Sequence, residues 1–135
     1  MRKISEEAAR AFYDGRHYKK DNTEVRILDS GVRQLTLFEN VIAKWNPNDR
    51  DESCRSRVLF NMCGWNTMTT RDRLNALGIK IRSRQGVPYW ETNGIRHRIA
   101  TGLTYYHCLT PVQAQQQDYW RAEPWPNADL RKVEE

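Results

Sequence analysis

Apolar residues in this chain recur at helical spacing in short stretches and at every second position through most of the rest. Ile4, Ala8, Ala11 and Phe12 fall at i, i+4, i+7 and i+8, one face of a 3.6-residue repeat. This predicts an opening helix over residues 5–13 with Ser5 as its N-cap. Glu6 and Glu7 sit at the positive end of its dipole, and Gly15 is the stop. Residues 16–21 are basic and polar and read as a solvated loop, with phosphate contact as the alternative. Residues 23–28 and 32–38 alternate on either side of Asp29-Ser30-Gly31, a hairpin pattern that puts Val25, Ile27, Leu35 and Leu37 on one core-facing side. A third strand is expected over 41–45. After a loop of turn formers at 46–53, a fourth is expected over 57–63.

The stretch from Gly64 to Gly78 reads as a strand end, a turn and a short helix. Thr69 is the expected N-cap, Asp72 would reach back to it, Leu74 and Leu77 form an apolar stripe, and Gly78 closes the helix in the left-handed conformation. Residues 79–84 and 95–99 then alternate as paired strands, with Tyr89 and Trp90 in the connection. Asn93-Gly94 is the strongest two-residue hairpin signal in the chain. Alternation does not decide whether 89–91 pairs with 95–98 or 80–84 does; a meander satisfies both. A last strand is expected over 104–108, followed by a short helix at 110–120 begun by Thr110-Pro111 and an extended end past Pro126. The expected fold is α+β: an antiparallel sheet of about five to seven strands with an N-terminal helix and one or two short helices packed on it. Residues 1–108 form the domain, and 109–135 a C-terminal extension.

Composition narrows the picture. With 135 residues, five Trp and six Tyr, the chain has enough apolar and aromatic material for one folded core. No apolar run approaches the roughly 18–20 residues of a membrane span, and the basic start Met1-Arg2-Lys3 lacks the apolar segment of a signal peptide. Cys54, Cys63 and Cys108 are an odd set without framework spacing, which points to reduced thiols. With His17, His97 and His107 they offer no chelating spacing, so neither a metal nor another cofactor is expected. No phosphate loop, nucleophile elbow or metal-binding helix is present, and a non-enzymatic protein is expected.

The net charge of +5 is uneven. Arg71, Arg73, Lys80, Arg82, Arg84, Arg96 and Arg98 are opposed between 71 and 98 only by Asp72 and Glu91, whereas the segment after 108 is mildly acidic. This balance argues against an acidic DNA mimic and favours an anionic partner. Alternation places Lys80, Arg82 and Arg84 on one side of their strand and Arg96 and Arg98 on one side of theirs. Together with Arg71, Arg73, Tyr89 and Trp90 they make a candidate surface for DNA or RNA, the aromatics stacking on bases. The competing reading is a solvated sheet face whose arginines lie over aromatic rings or pair with the tail's carboxylates. An alternative function is a protein–protein inhibitor, anchored by Tyr119, Trp120 and Trp125. A homodimer is compatible with either.

Three segments carry a family resemblance: Asn22-Thr23-Glu24-Val25; Leu35-Thr36-Leu37 continuing to Asn40-Val41-Ile42-Ala43; and the corner Gly64-Trp65-Asn66-Thr67-Met68-Thr69-Thr70-Arg71-Asp72-Arg73-Leu74-Asn75. Over roughly its first two-thirds the chain resembles small proteins encoded by tailed bacteriophages and prophages. It departs from them at Phe38-Glu39-Asn40, where that family tends to have His-Gly-Asn. The resemblance implies a phage gene product acting in the host bacterial cytoplasm, where the alternative inhibitor would target a host or bacterial-defence factor, and brings no catalytic or binding residue to carry over.

Overall fold

The computed structural model describes residues 2–47, 57–92 and 94–108. In chain order they form α1 (Lys3–Asp14), β1 (Tyr18–Lys20), β2 (Thr23–Ile27), β3 (Arg33–Leu37), β4 (Asn40–Trp45), β5 (Arg57–Phe60), α2 (Met68–Ala76), β6 (Lys80–Arg84), β7 (Val87–Thr92), β8 (Ile95–Arg98) and β9 (Tyr105–Cys108). The class is α+β, and all strand pairing is antiparallel. The strands divide between a six-stranded sheet in the order β1-β2-β3-β4-β5-β9 and a three-stranded sheet β6-β7-β8. No helix among the described residues is long and apolar enough to cross a membrane.

The expected hairpin forms β2 and β3. Val25 lies opposite Leu35 and Thr23 opposite Leu37, so these side chains share one face. All four are buried, with Ile42, Val58 and Phe60 continuing the same core. Against it α1 lays Ala8, Ala11 and Phe12. Gly15 ends the helix at φ 75°. Arg33 from β3 completes that end by donating to the carbonyls of Phe12 and Tyr13, while its guanidinium stacks 4.7 Å over the Trp45 ring. A cation on the last carbonyls of a helix also answers its dipole.

Several local expectations are corrected. The loop expected at 16–21 contains β1, which extends the sheet by pairing Tyr18 with Val25 and Lys20 with Thr23. Ser5 is not a cap: Arg2 holds the N-cap position of α1, and Ser5 is a buried residue of the first turn. The cap of α2 is Thr67 rather than Thr69, its Oγ1 accepting from the Thr70 N–H. Asp72 does not reach back along its own helix. Its carboxylate accepts from the Ser5 hydroxyl and the Arg2 backbone N–H, so it serves the start of α1 from α2. The fourth strand ends at Phe60 because Cys63 and Gly64 take φ of 55° and 83° and turn the chain. The rest of the loop expected at 46–53 beyond residue 47, and the helix and extension expected after 108, lie outside the described residues.

Arg73 joins these pieces. It is 3 % exposed; its Nε donates to Thr23 Oγ1 at 2.9 Å, its Nη1 to Ser5 Oγ at 2.6 Å, and Asp72 lies 3.6 Å away. Burial, with Arg2 nearby, lowers its pKa from the ordinary arginine value while Asp72 opposes the shift; the guanidinium stays charged near neutrality. A buried cation truncated from such a network strands its partners. Arg73→Ala is therefore expected to lower unfolding free energy by about 3 kcal/mol in urea titrations, with Arg73→Met recovering part of the loss by keeping the volume. A neutral Arg73→Ala would show that the network holds nothing together.

A second expectation concerns pH. His107 on β9 lies opposite Val58 with its ring 6.1 Å from Trp90, and burial lowers its pKa from 6.5 to about 4. The folded state then binds fewer protons than the unfolded one between these values, so the contribution is complete above about pH 6.5 and is lost as pH falls toward 4. The loss amounts to at most roughly 3 kcal/mol. Urea midpoints measured from pH 7 to pH 4.5 should fall for the wild type, and His107→Phe should flatten the decline; a parallel decline in both would assign it to other groups.

Candidate nucleic-acid interface

The three-stranded sheet is a meander. Arg84 pairs with Val87 across Gln85-Gly86, a two-residue turn in which both φ are positive, 53° and 78°. Thr92 pairs with Ile95 across the second connection, where Gly94 has φ 76°. The Gln85-Gly86 turn is of the kind whose twist suits flanking strands. β7 therefore lies between β6 and β8, the meander left open by alternation, and the two cationic strands pair with β7 instead of with each other. Tyr89 and Trp90 belong to the central strand, not to a connection.

Opposed residues share a face, so the registers divide the side chains cleanly. One face carries Ile81, Trp90, His97 and Pro88, of which Ile81, Trp90 and Pro88 are buried. The other carries Lys80 opposite Glu91, Arg82 opposite Tyr89, and Arg84 opposite Val87; across β7, Arg96 opposes Glu91 and Arg98 opposes Tyr89. The five cations are all exposed. They stand in two rows, on β6 and β8, roughly 10 Å apart from two strand spacings. Glu91 is the one carboxylate on this face, 3.7 Å from Arg82 Nε, an exposed pair of small energetic weight. The Arg96 guanidinium lies over the Tyr89 ring at 5.7 Å from its centroid. Five positive charges against one negative, on a face with little apolar surface, form a site suited to a polyanion.

The edge of β6 is held by side chains from outside the sheet. Asn75 on α2 accepts from the Ile81 N–H at 2.7 Å and donates to the Ile81 carbonyl at 3.1 Å. Asn66 donates to Ser83 and to the Gly86 carbonyl. These bonds fix the strand from which Lys80, Arg82 and Arg84 project.

The remaining sequence candidates do not join this face. Arg73 is buried in the α1–α2–β2 network, and Arg71 is tied to Asn66 through its carbonyl and side-chain oxygens. Trp90 is 1 % exposed, packed edge-on at 5.0 Å from Phe60, and presents no open ring to a base. Tyr119, Trp120 and Trp125 lie outside the described residues. Among the described residues no group of three or more His, Cys, Asp or Glu side chains gathers as a metal would require.

A second surface went unread in the sequence. A cavity of about 450 Å³ is lined by Leu37, Phe38, Ile42, Met62, Cys63 and Trp65, with Asn40, Thr67 and Thr70. Phe38 and Trp65 on its rim, and Met68 beside Thr67, are 65 %, 61 % and 68 % exposed. Large apolar side chains gathered around an open cavity mark an interaction surface more often than scattered ones do. The available signal was the pair Phe38-Glu39 between two alternating runs, spaced as a two-residue turn.

A family model described as Kyanoviridae Gp96 protein matches residues 1–98. The match includes α1, α2, both rows of cations and the cavity, and stops short of β9. No curated protein and no solved structure matches the chain.

The β3–β4 turn yields a prediction. Leu37 pairs with Asn40, and Phe38 and Glu39 take φ of 50° and 68°, where Asn-Gly is the unstrained choice. A bulky residue at positive φ costs on the order of 1 kcal/mol or more. Replacing both with Asn-Gly should raise stability by about 1 kcal/mol in urea titrations. A loss of stability instead would mean that Phe38 contributes packing its exposure does not reveal.

Proposed function

The chain belongs to the Kyanoviridae Gp96 protein family, a family of phage proteins, and from that premise we propose that it is a phage accessory protein that binds nucleic acid through the outer face of β6–β8 in the host bacterial cytoplasm. The observation that carries this reading is the row arrangement itself: Lys80, Arg82 and Arg84 on one strand and Arg96 and Arg98 on another, all exposed, against Glu91 alone. Like charges gathered on one sheet face destabilise it unless an anion is near, and phosphate backbones supply such anions at high density. No nucleophile or metal is needed for this role, and the reading is non-enzymatic.

A second reading has its own support. The apolar rim formed by Phe38, Trp65 and Met68 suits a protein partner, which fits an inhibitor of a host or bacterial-defence factor with Tyr119, Trp120 and Trp125 as further anchors. The two readings differ in salt dependence. With Glu91 offsetting one cation, about four phosphates are neutralised, and log K should fall against log salt with a slope of about −3 to −4; an aromatic-anchored protein interface responds far less.

The test is fluorescence anisotropy with labelled DNA and RNA at low and physiological salt. The wild type should bind with that slope, and the Arg82→Ala/Arg84→Ala/Arg96→Ala variant should lose most of the affinity. Absence of binding at low salt would overturn the nucleic-acid reading. Binding that survives the triple variant but falls with Phe38→Ala/Trp65→Ala would move the site to the apolar surface.

A further inference from the structure

Resting on the nucleic-acid reading, we propose that this face takes single-stranded rather than duplex nucleic acid, with one base stacked on Tyr89 and the backbone held by the cations of β6 and β8. Tyr89 occupies the middle of the central strand, directly between Arg82 and Arg98. It is the one aromatic on the outer face of the three strands, and it is partly exposed while its neighbour Trp90 is buried. A duplex keeps its base faces stacked inside, so an aromatic at the centre of a flat basic surface would meet only sugar and phosphate. A single strand offers an open base to such a ring and keeps its phosphates for the flanking cations.

Arg96 adds to this geometry. Its guanidinium lies 5.7 Å from the Tyr89 centroid, more than a direct stack and less than the about 7 Å that two stacking steps of 3.4 Å require. Arg96 is exposed, so a lift of about 1 Å by its side chain, the difference between that spacing and the present one, admits a base between ring and guanidinium. Along each strand the cations recur two residues apart, Arg82 with Arg84 and Arg96 with Arg98, roughly 7 Å of rise. An extended backbone can follow either row, whereas a rigid duplex touches a sheet this narrow at few phosphates. DNA and RNA single strands share the chemistry invoked here: an exposed π-face and a phosphate chain.

Anisotropy titrations would use the full chain with single-stranded DNA, single-stranded RNA and a duplex of the same sequence. The single strands should bind more tightly. Tyr89→Ala should weaken single-strand binding about tenfold, leave residual duplex binding and the salt slope unchanged, and be rescued by Tyr89→Phe, which keeps the ring and the packing. Arg82→Ala should weaken binding to every probe and make the slope shallower by about one phosphate. Equal or tighter duplex binding would overturn the proposal, as would a Tyr89→Ala loss of the same size on single strands and duplex. Absence of binding to all three probes would overturn the underlying nucleic-acid reading, and this proposal with it.

Discussion

Burial of Trp90 is the constraint on which the basic face depends. Its ring sits among Phe60 and Tyr105 of the larger sheet and beside His107, and it is among the largest fully buried side chains of the described residues. An aromatic of this size removes substantial apolar area from water and so fixes which way β7 faces. Once β7 is fixed, strand alternation and the two hairpin registers leave no freedom for the flanking strands: Ile81 must face inward beside Trp90, and Lys80, Arg82 and Arg84 outward. A shift of register by one residue would bury the cations and expose the core.

The helices hold the edge of that sheet in place. Asp72 and Arg73, adjacent on α2, satisfy donors and acceptors on α1 and β2, so α2 is clamped against the larger sheet before β6 begins. One turn further on, Asn75 pairs with both backbone groups of Ile81. Leu74 and Leu77 bury the helix face, and Gly78 at φ 96° reverses the chain into β6. The smaller sheet is thus held through its core face by Trp90 and along its edge by Asn75 and Asn66, with its outer face left to solvent.

Two surfaces of opposite character result. The outer face of β6–β8 is cationic and nearly devoid of carboxylates, while the β3–β4 turn and the Gly64–Thr70 segment gather apolar groups around a cavity. Phe38 is held there in a backbone region that bulky residues avoid, on a turn fixed by the Leu37–Asn40 pair. Both surfaces fall within the part of the chain matched by the phage family model.

Period-two alternation was enough to assign the β2–β3 hairpin, β4, the outward set of cations and the α+β class, because the hydrophobic pattern of a half-buried strand is local information. Gly15 and Gly78 marked helix ends for a similarly local reason: the left-handed conformation is cheap only for residues without a side chain. Other features depended on residues far apart in the chain. Arg73 looked like one more surface cation, and only the approach of Ser5 and Thr23 turned it into a buried clamp. Ser5 and Asp72 both read as caps of their own helices; tertiary contact joined them to each other instead. Counted along the chain, Trp90 falls in phase with Arg82, Arg84, Arg96 and Arg98; the two-residue connections on either side of β7 reverse that phase and put Trp90 on the opposite face. The Gln85-Gly86 turn, by placing β7 between the cationic strands, buried Trp90 and left Tyr89 partly exposed among the arginines. Composition and alternation determined that the chain would carry a basic strand face; long-range packing decided which aromatic stands on it.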